Sequence, residues 1–280
     1  MEYKQDALFS VEDKICIVTG GLGQIGKNFV QELVKRGAKA AVWGRTINDE
    51  RIVRTFGEEA LANPNLKFYT VNISDKASIN RALDEMEAVW HDAPDVLVNN
   101  AGIDTQPSAP AEVSGPFENF PEEVFREIVD VNLVGTFLCI QAVGARMVNA
   151  GKGGSIINVG SIYGMVSPIQ DIYAYKKELT GVPFIKPVAY SAAKSGIYNL
   201  TRYCATYWGR QGIRVNTLTP AGVWRDTQDA TFQANFTSRM PMGRMSREDE
   251  YNGALIFLAS QASSFMTGSN LVIDGGWTAW

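Results

Sequence analysis

Short apolar runs alternate along the chain with longer amphipathic segments, and this alternation restricts the fold more than any other feature. The runs are rich in Val and Ile and are too short for helices, so we predict buried strands. They cover residues 15–19, 40–43, 66–71, 96–99, 155–159, 213–218 and 271–273. Strands that alternate with helices form a parallel sheet covered by crossover helices on both faces. The pattern therefore predicts an α/β protein with a doubly wound parallel sheet of about seven strands.

The segments between the runs carry apolar residues at helical spacing, as Ile25, Phe29 and Leu33 illustrate. Helices are predicted over residues 25–36, 76–90, 124–148, 191–208 and 248–258. Ser246 and Asp249 resemble a capping box that opens the last of these helices. The 280 residues contain no internal repeat and no low-complexity linker. One domain spanning residues 1–280 is therefore expected.

Composition argues against several classes of function. The 26 basic and 30 acidic residues give a net charge of −4, which does not favour nucleic acid or an anionic membrane surface. No apolar stretch has the roughly 18 residues of a membrane-spanning helix, and the amino terminus lacks a signal-like run. A single histidine, His91, and three separated cysteines argue against a metal site or a disulfide framework. We expect a cytoplasmic, metal-free protein that acts on a small molecule.

A glycine-rich turn, residues 19–26, joins the first predicted strand to the first predicted helix. Glycines allow close approach of the backbone to a pyrophosphate, and the helix amino terminus supplies free N–H groups. A strand before the turn and a helix after it are the context that such a site requires. The turn therefore predicts dinucleotide binding. The residues concerned are Gly20, Leu22, Gly23, Gln24, Ile25 and Gly26.

The end of the second predicted strand bears on cofactor choice. An acidic residue there would bind the ribose hydroxyls of NAD, but the chain has Gly44 and Arg45. Because Arg45 is able to pair with a 2′-phosphate, NADP is the preferred cofactor and NAD the alternative. Asp49 and Glu50 follow closely and leave dual use open.

Tyr190 and Lys194 are four residues apart at the start of a predicted helix, so their side chains share a face. A free phenol titrates near pH 10, which is too high for efficient proton transfer at neutral pH. A neighbouring ammonium favours the phenolate and lowers the phenol's pKa. The two residues are thus a predicted general acid/base pair.

Together these motifs resemble the short-chain dehydrogenase/reductase family in its compact single-domain branch. Further motifs follow in the family's order: Asn99-Asn100-Ala101-Gly102, Val131-Asn132-Leu133-Val134-Gly135, Gly160-Ser161, Arg214-Val215-Asn216 with Pro220, and Val272-Ile273-Asp274-Gly275-Gly276. The resemblance extends from Lys14 to Gly276. It implies a Rossmann-like fold and an NAD(P)-dependent oxidoreductase that interconverts a secondary alcohol and a ketone by hydride transfer.

The resemblance also implies roles for individual residues. Tyr190 would exchange a proton with the substrate oxygen, Ser161 would hydrogen-bond that oxygen, and Lys194 would contact the nicotinamide ribose and lower the pKa of Tyr190. Asn132 would hold a water that relays protons to Lys194. Further cofactor contacts are implied for Asn72, Ile73, Asn99, Ala101, Gly102, Tyr190, Lys194, Pro220, Gly222 and Val223. Substrate contacts are implied for Ser161, Tyr163, Tyr190 and Trp224.

The chain departs from the compact branch at two positions. Gln24 stands where that branch has its middle glycine, and Ala221 separates Pro220 from Gly222. The glycine spacing is instead that of a longer branch that modifies nucleotide sugars, whose extra carboxyl-terminal domain 280 residues hardly accommodate. A nucleotide-sugar epimerase or dehydratase that retains its cofactor is thus one alternative. A non-catalytic dinucleotide sensor is another, against which the complete catalytic set argues.

Ser161 and Tyr190 are 29 residues apart, which is longer than the family's usual spacing. Residues 164–187 must therefore loop out beside the active site, and the proline-rich residues 103–121 should reach the same rim. We predict that both insertions form a pocket wall for a sugar-like or anionic polar substrate; a solvated loop is the alternative. The aromatic and basic residues concerned are Tyr173, Tyr175, Lys176, Lys177, Phe184 and Lys186. In its long segment between Ser161 and Tyr190, the chain resembles family members in bacterial sugar biosynthesis, such as those of sialic-acid-like flagellin modification.

Residues 224–245 are predicted to form a substrate lid around a mobile helix at 226–238. The resemblance further implies a homo-oligomer, a dimer or a homotetramer, built through the helices at 124–148 and 191–208. Trp277 and Trp280 at the end of the chain are expected to dock either on a neighbouring subunit or on their own.

Overall fold

A parallel seven-stranded sheet runs through the protein in the order β3-β2-β1-β4-β5-β6-β7. The computed structural model describes residues 6–105 and 109–280. The strands are β1 (Ile15–Thr19), β2 (Lys39–Gly44), β3 (Leu66–Thr70), β4 (Val96–Asn99), β5 (Gly154–Val159), β6 (Ile213–Pro220) and β7 (Asn270–Ile273). All of the predicted strands are present, so the predicted α/β fold is confirmed.

Helices connect the strands and cover both faces of the sheet. They are α1 (Gln24–Lys35), α2 (Asp49–Phe56), α3 (Lys76–Trp90), α4 (Glu122–Val129), α5 (Gly135–Ala150), α6 (Ile162–Met165), α7 (Tyr175–Thr180), α8 (Val188–Trp208), α9 (Ala230–Thr237) and α10 (Asn252–Ala259). A π-helical segment, Asp130–Val134, joins α4 to α5. Helix α2 was not predicted, because Ile52 is the one buried position in its polar sequence.

The predicted capping box at Ser246 and Asp249 is wrong. Helix α10 begins only at Asn252, and its N-cap residue Tyr251 makes no side-chain cap. The Ser246 hydroxyl is instead hydrogen-bonded to the Tyr251 hydroxyl, with 2.6 Å between the two oxygens. Ser246 and Asp249 have the residue types and spacing of a capping box, but the serine makes a different local contact.

Two apolar clusters hold the layers together, one on each face of the sheet. On one face, Phe29 and Leu33 of α1 pack with Leu255 of α10. On the other face, residues of α3, α5 and α8 form the second cluster, which includes Leu83 and Val143. The three cysteines, Cys16, Cys139 and Cys204, are buried as free thiols within these clusters.

The continuous helical run Glu122–Ala150 is, in the described part of the chain, the one helix long and apolar enough to cross a membrane by length and composition. Its apolar window is 50% buried inside the protein. Cys139, Val143 and Met147 of this run are fully buried in the second cluster. These contacts are those of a core helix packed on a sheet.

The strand order changes direction at β1, which lies between β2 and β4. In open α/β sheets, ligands bind outside the carboxyl ends of the strands at such a switch point. Strands β1 and β4 end there at Thr19 and Asn99, and β5 ends next to them at Val159. The topology therefore brings the glycine turn and the predicted catalytic segment to one edge of the sheet.

Candidate active site

The glycine turn has the close backbone contacts that its sequence predicts. Gly20 has a positive φ of 63°, and a Cβ there would lie 2.9 Å from the Ala101 Cα. A Cβ on Gly26 would lie 2.3 Å from the Gly20 carbonyl oxygen. Helix α1 then begins at Gln24, and its N-cap residue Gly23 leaves the first N–H groups without a side-chain cap. A larger residue at Gly20 or Gly26 would close this cradle, which fits a pyrophosphate.

Thr19 and Asn100 fix the turn to the neighbouring strand. The Thr19 hydroxyl accepts from the backbone N–H groups of Asn100 and Ala101, each at 3.0 Å. The Asn100 amide donates to the carbonyls of Thr19 and Gly20, at 3.0 and 3.2 Å. Asn100 was not among the predicted site residues, although it lies inside a motif that was recognised.

Gln24 has a side-chain role at a position where the compact branch has glycine. Its amide nitrogen donates to the Trp224 carbonyl at 2.8 Å, and its amide oxygen accepts from the Arg225 guanidinium at 2.5 Å. The side chain thus links the glycine turn to the segment that follows β6.

The remaining predicted cofactor residues lie around the same edge. Arg45 is exposed directly after β2. The Asn72 side chain accepts from the Ser74 N–H at 3.1 Å, whereas Ile73 is buried against α5 at Gly135. The Asn99 amide donates to the Asn158 side chain at 2.9 Å inside the core.

The segment that follows β6 contains three of the predicted site residues. A Cβ on Gly222 would lie 2.5 Å from the Phe236 ring, so glycine allows α9 to approach. Val223 forms a bridge with Ser246. Trp224 is 52% exposed and lines a cavity of about 550 Å³ together with Arg244. That cavity is not lined by Ser161, Tyr190 or Lys194.

Ser161 is held at the carboxyl end of β5 by contacts on both of its sides. Its hydroxyl accepts from the Tyr163 N–H at 3.1 Å and caps α6. The Tyr198 hydroxyl donates to the Ser161 carbonyl at 2.8 Å and accepts from its N–H at 3.3 Å. Tyr198 is a positioning residue that sequence reasoning missed, although it lies two helical turns after Tyr190.

The structure brings Tyr190, Ser161 and Lys194 together. The Lys194 ammonium lies 5.8 Å from the centre of the Tyr190 ring and donates to the Val159 carbonyl at 2.7 Å. Burial lowers the pKa of Lys194 to about 8. Burial also raises the pKa of Tyr190, and the Asp104 carboxylate raises it further, while a hydrogen bond with Ser161 lowers it.

The pKa of Tyr190 thus shifts in the opposite direction to the sequence prediction. The prediction considered the neighbouring ammonium but not the loss of solvation, which favours the neutral phenol. The same loss of solvation works against the charged form of Lys194 and lowers its pKa.

Asn132 lies in the π-helical segment and is fully buried. Its side-chain oxygen accepts from the Ile103 N–H and its amide nitrogen donates to the Ile103 carbonyl, both at 2.8 Å. Both amide groups therefore hold the chain just after β4, next to Gly102. Single π-helical turns within α-helices occur frequently at functional sites.

Residues of the segment 164–187, predicted as an insertion, pack on α9. A third apolar cluster joins Ile172, Tyr173 and Phe184 of the insertion to Phe232 and Phe236 of α9. The Tyr173 ring lies 5.0 Å from Phe184 and 5.7 Å from Phe232, measured between ring centres. The predicted alternative of a solvated loop is therefore wrong for these aromatic residues.

Polar contacts also tie the insertion to the amino terminus of α9. The Tyr175 hydroxyl donates to Asp229 at 2.5 Å, and Lys176 forms an ion pair with Asp229 at 3.3 Å. Asp229 is also the N-cap of α9. Tyr163, a predicted substrate residue, is buried in the third cluster, and its hydroxyl lies 3.2 Å from that of Tyr173.

The two final tryptophans behave differently. Trp277 is buried and stacks on Phe236 with ring centres 4.4 Å apart, so it packs on its own chain. Trp280 is 80% exposed. In the described residues, no group of three or more His, Cys, Asp or Glu side chains is arranged to hold a metal ion.

A dinucleotide cradle at the switch point, beside a serine, a tyrosine and a lysine, defines a nucleotide-dependent oxidoreductase. A family model described as enoyl-(acyl carrier protein) reductase matches residues 22–278. The chain belongs to the short-chain dehydrogenase/reductase family, and it is an NAD(P)-dependent oxidoreductase that acts on CH–OH groups. The predicted family, fold and reaction class are confirmed.

Characterised relatives match over nearly their whole length. A cis-4-hydroxycyclohexanecarboxylate dehydrogenase of Sinomonas cyclohexanicum is 32% identical, over 95% of this chain and 97% of the relative. A D-threitol dehydrogenase of Mycolicibacterium smegmatis is 31% identical, over 99% and 97%.

Solved structures agree with the fold. A short-chain dehydrogenase of Leptospira borgpetersenii with bound NAD+ has a TM-score of 0.82 at 30% identity and covers 99% of this chain and 98% of its own. A gluconate 5-dehydrogenase of Burkholderia cenocepacia in complex with NADP and tartrate has a TM-score of 0.80 at 30% identity, covering 98% of each chain.

Proposed function

We propose that the protein interconverts a secondary alcohol and a ketone on a polar, polyol-like or sugar-like substrate, with Tyr190 as the general acid/base. The observation that carries the proposal is the convergence of Ser161, Tyr190 and Lys194 beside the glycine cradle. Relatives named for D-threitol and L-rhamnose support a polyhydroxylated substrate, and one named for a hydroxycyclohexane supports a cyclic one.

In the direction of oxidation, Tyr190 takes the proton from the substrate hydroxyl, and Ser161 donates a hydrogen bond to the same oxygen. In this direction a bound nicotinamide cofactor would accept the hydride. Lys194 stays close enough to favour the phenolate whenever it carries its proton. Asn132 positions residues 102–103, and we propose that it also supports the water relay to Lys194.

The proposal predicts the outcome of Tyr190→Phe. The substitution removes the proton-transferring hydroxyl and leaves the ring, so turnover should fall by at least about 100-fold while cofactor affinity is retained. Absorbance at 340 nm with a panel of polyols and sugars measures turnover, and fluorescence titration measures cofactor binding. Tyr203→Phe makes the same chemical change at an exposed position of α8 and should leave turnover unchanged. Appreciable turnover by Tyr190→Phe would contradict the assignment.

We propose NADP as the preferred cofactor, bound by Gly20, Gly23 and Gly26 at the pyrophosphate and by Arg45 at the 2′-phosphate. The support is the exposed guanidinium directly after β2, at a position that lacks an acidic residue. Solved relatives hold either NAD+ or NADP, so the family likeness does not choose between them.

Arg45→Ala tests this cofactor preference. Loss of a charge-assisted contact with phosphate should weaken NADP binding about tenfold or more and leave NAD binding nearly unchanged. Titration of the protein fluorescence with each nucleotide measures both dissociation constants. Arg54→Ala removes an exposed arginine from α2 and serves as the control. Equal losses for the two nucleotides would refute a 2′-phosphate contact.

We propose that residues 103–121 and 164–187 form the substrate-side wall and that residues 224–245 form the lid, with substrate contacts from Ser161, Tyr163, Tyr190 and Trp224. The third apolar cluster and the Tyr175–Asp229 contact support a lid that closes together with the insertion. An insertion anchored to the lid in this way would hold it over bound substrate.

Tyr175→Phe tests the contact between the insertion and the lid. Removing one hydrogen bond to a carboxylate should raise the substrate KM about tenfold, with kcat and cofactor affinity changed little. Steady-state kinetics and cofactor titration separate these effects. Tyr207→Phe removes a hydroxyl from an exposed tyrosine and is the matched control. An unchanged KM would show that the contact does not support the substrate-bound lid.

We propose a cytoplasmic homo-oligomer, with a homotetramer as the preferred state, that uses no nucleic acid or membrane partner. Exposed apolar residues on α5, namely Phe137 and Val148, support a subunit interface. Phe137→Glu should lower the particle mass measured by light scattering, because a buried charge would oppose association. An unchanged mass would place the interface elsewhere. Three free, buried cysteines agree with a reducing compartment.

A further inference from the structure

A second buried lysine lies beside Tyr190. The Lys186 side chain is 5% exposed and forms an ion pair with Asp104 at 2.5 Å. Its ammonium also donates to the Thr105 carbonyl at 2.9 Å. It lies 5.6 Å from the centre of the Tyr190 ring, which is as close as Lys194 at 5.8 Å. The mechanism above uses neither Lys186 nor Asp104.

Both members of the pair are held by their neighbours. The Gln170 side chain accepts from the Lys186 N–H at 2.9 Å and donates to the Lys186 carbonyl at 3.1 Å. Asp104 follows Ile103, whose N–H and carbonyl are both bonded by Asn132. The Asp104–Lys186 pair therefore joins the two insertions at a fixed point next to Tyr190.

A contribution to the free energy of unfolding does not explain why this pair is buried here. Buried ion pairs lose much of their attraction to desolvation, and apolar residues often serve the fold as well. One Asp104 oxygen is moreover buried without a hydrogen-bond partner in the described residues. A buried acceptor that lacks a partner is costly, and such groups recur at catalytic sites.

We propose that Asp104 and Lys186 are a positioning pair that sets the charge state of the reacting tyrosine: the carboxylate disfavours the phenolate, and the buried ammonium limits that effect. This inference rests on the proposed role of Tyr190 as the acid/base. It also gives the two insertions a part in the chemistry, because each of them contributes one charge of the pair.

The groups around Tyr190 show how the Asp104–Lys186 pair affects its phenol. The other groups that act on the phenol are the Ser161 hydroxyl, which lowers its pKa, and the neutral phenols of Tyr163 and Tyr198, which raise it. Among the charged groups, the Asp104 carboxylate raises the pKa, and the ammonium groups of Lys186 and Lys194 lie 5.6 and 5.8 Å from the ring centre. The Asp104 carboxylate raises the pKa of both Tyr190 and Lys194.

Opposite substitutions should therefore move the pH profile in opposite directions. Oxidation needs the deprotonated phenol, so kcat/KM rises with pH through an apparent pKa that belongs to Tyr190 and Lys194 together. Asp104→Asn removes a negative charge and should shift the profile to lower pH by about one unit. Lys186→Met leaves the carboxylate without its counter-charge and should shift the profile to higher pH.

Three further variants separate an electrostatic role from a structural one. Lys186→Arg keeps the charge and should keep the wild-type profile. Glu32→Gln removes one negative charge from α1, away from the site, and should not shift it. The double variant Asp104→Asn/Lys186→Met replaces both charges and so avoids an unpaired buried ion. It should shift to lower pH by less than Asp104→Asn alone.

The outcome is decided by the profiles of the variants that fold, as judged by circular dichroism. Shifts in the stated directions support the proposal. Variants that lose activity but keep the wild-type pH profile would overturn it, since a pair that only braces the insertions changes the rate and not the titration. A failure of the proposed function would be recognised separately, because Tyr190→Phe would then retain its turnover.

Discussion

The hydrogen bonds between Thr19 and Asn100 are the contact on which the rest of the site depends. They connect the carboxyl ends of β1 and β4, where the strand order reverses. A parallel sheet leaves the backbone groups at these ends without strand partners, and side chains must bind them if they are buried. Here the same bonds hold the glycine turn against Asn100 and Ala101.

The catalytic side of the crevice is built in the same way. Asn132 binds the backbone of Ile103, and Tyr198 binds that of Ser161. In both cases a polar side chain binds the backbone of a loop that follows a strand, and Ser161 lies in the second of these loops. Rigid support of this kind is what places catalytic groups within the small tolerances that the chemistry needs.

Much of the fold was predictable because its signals are local. The strand runs, the glycine turn and the Tyr190–Lys194 spacing each depend on neighbours in sequence, and all have the expected local structure. Asn100, Tyr198 and Asp104 were missed as functional residues because their roles depend on partners from other segments. Gln24 likewise hydrogen-bonds the Trp224 carbonyl, 200 residues away along the chain, and its position in the glycine turn does not predict that contact.

The pKa of Tyr190 shows why a motif alone does not define a reactive site. Lys194 favours the phenolate only while it is charged, and burial works against the charge of both residues. The balance must therefore be set by other fixed charges near the pair. In this chain the Asp104–Lys186 pair joins the loop after β4 to the loop before α8, next to the Tyr190 ring. The loops proposed as the substrate wall thus also carry charges next to the proton-transfer groups, which would couple specificity to pH dependence.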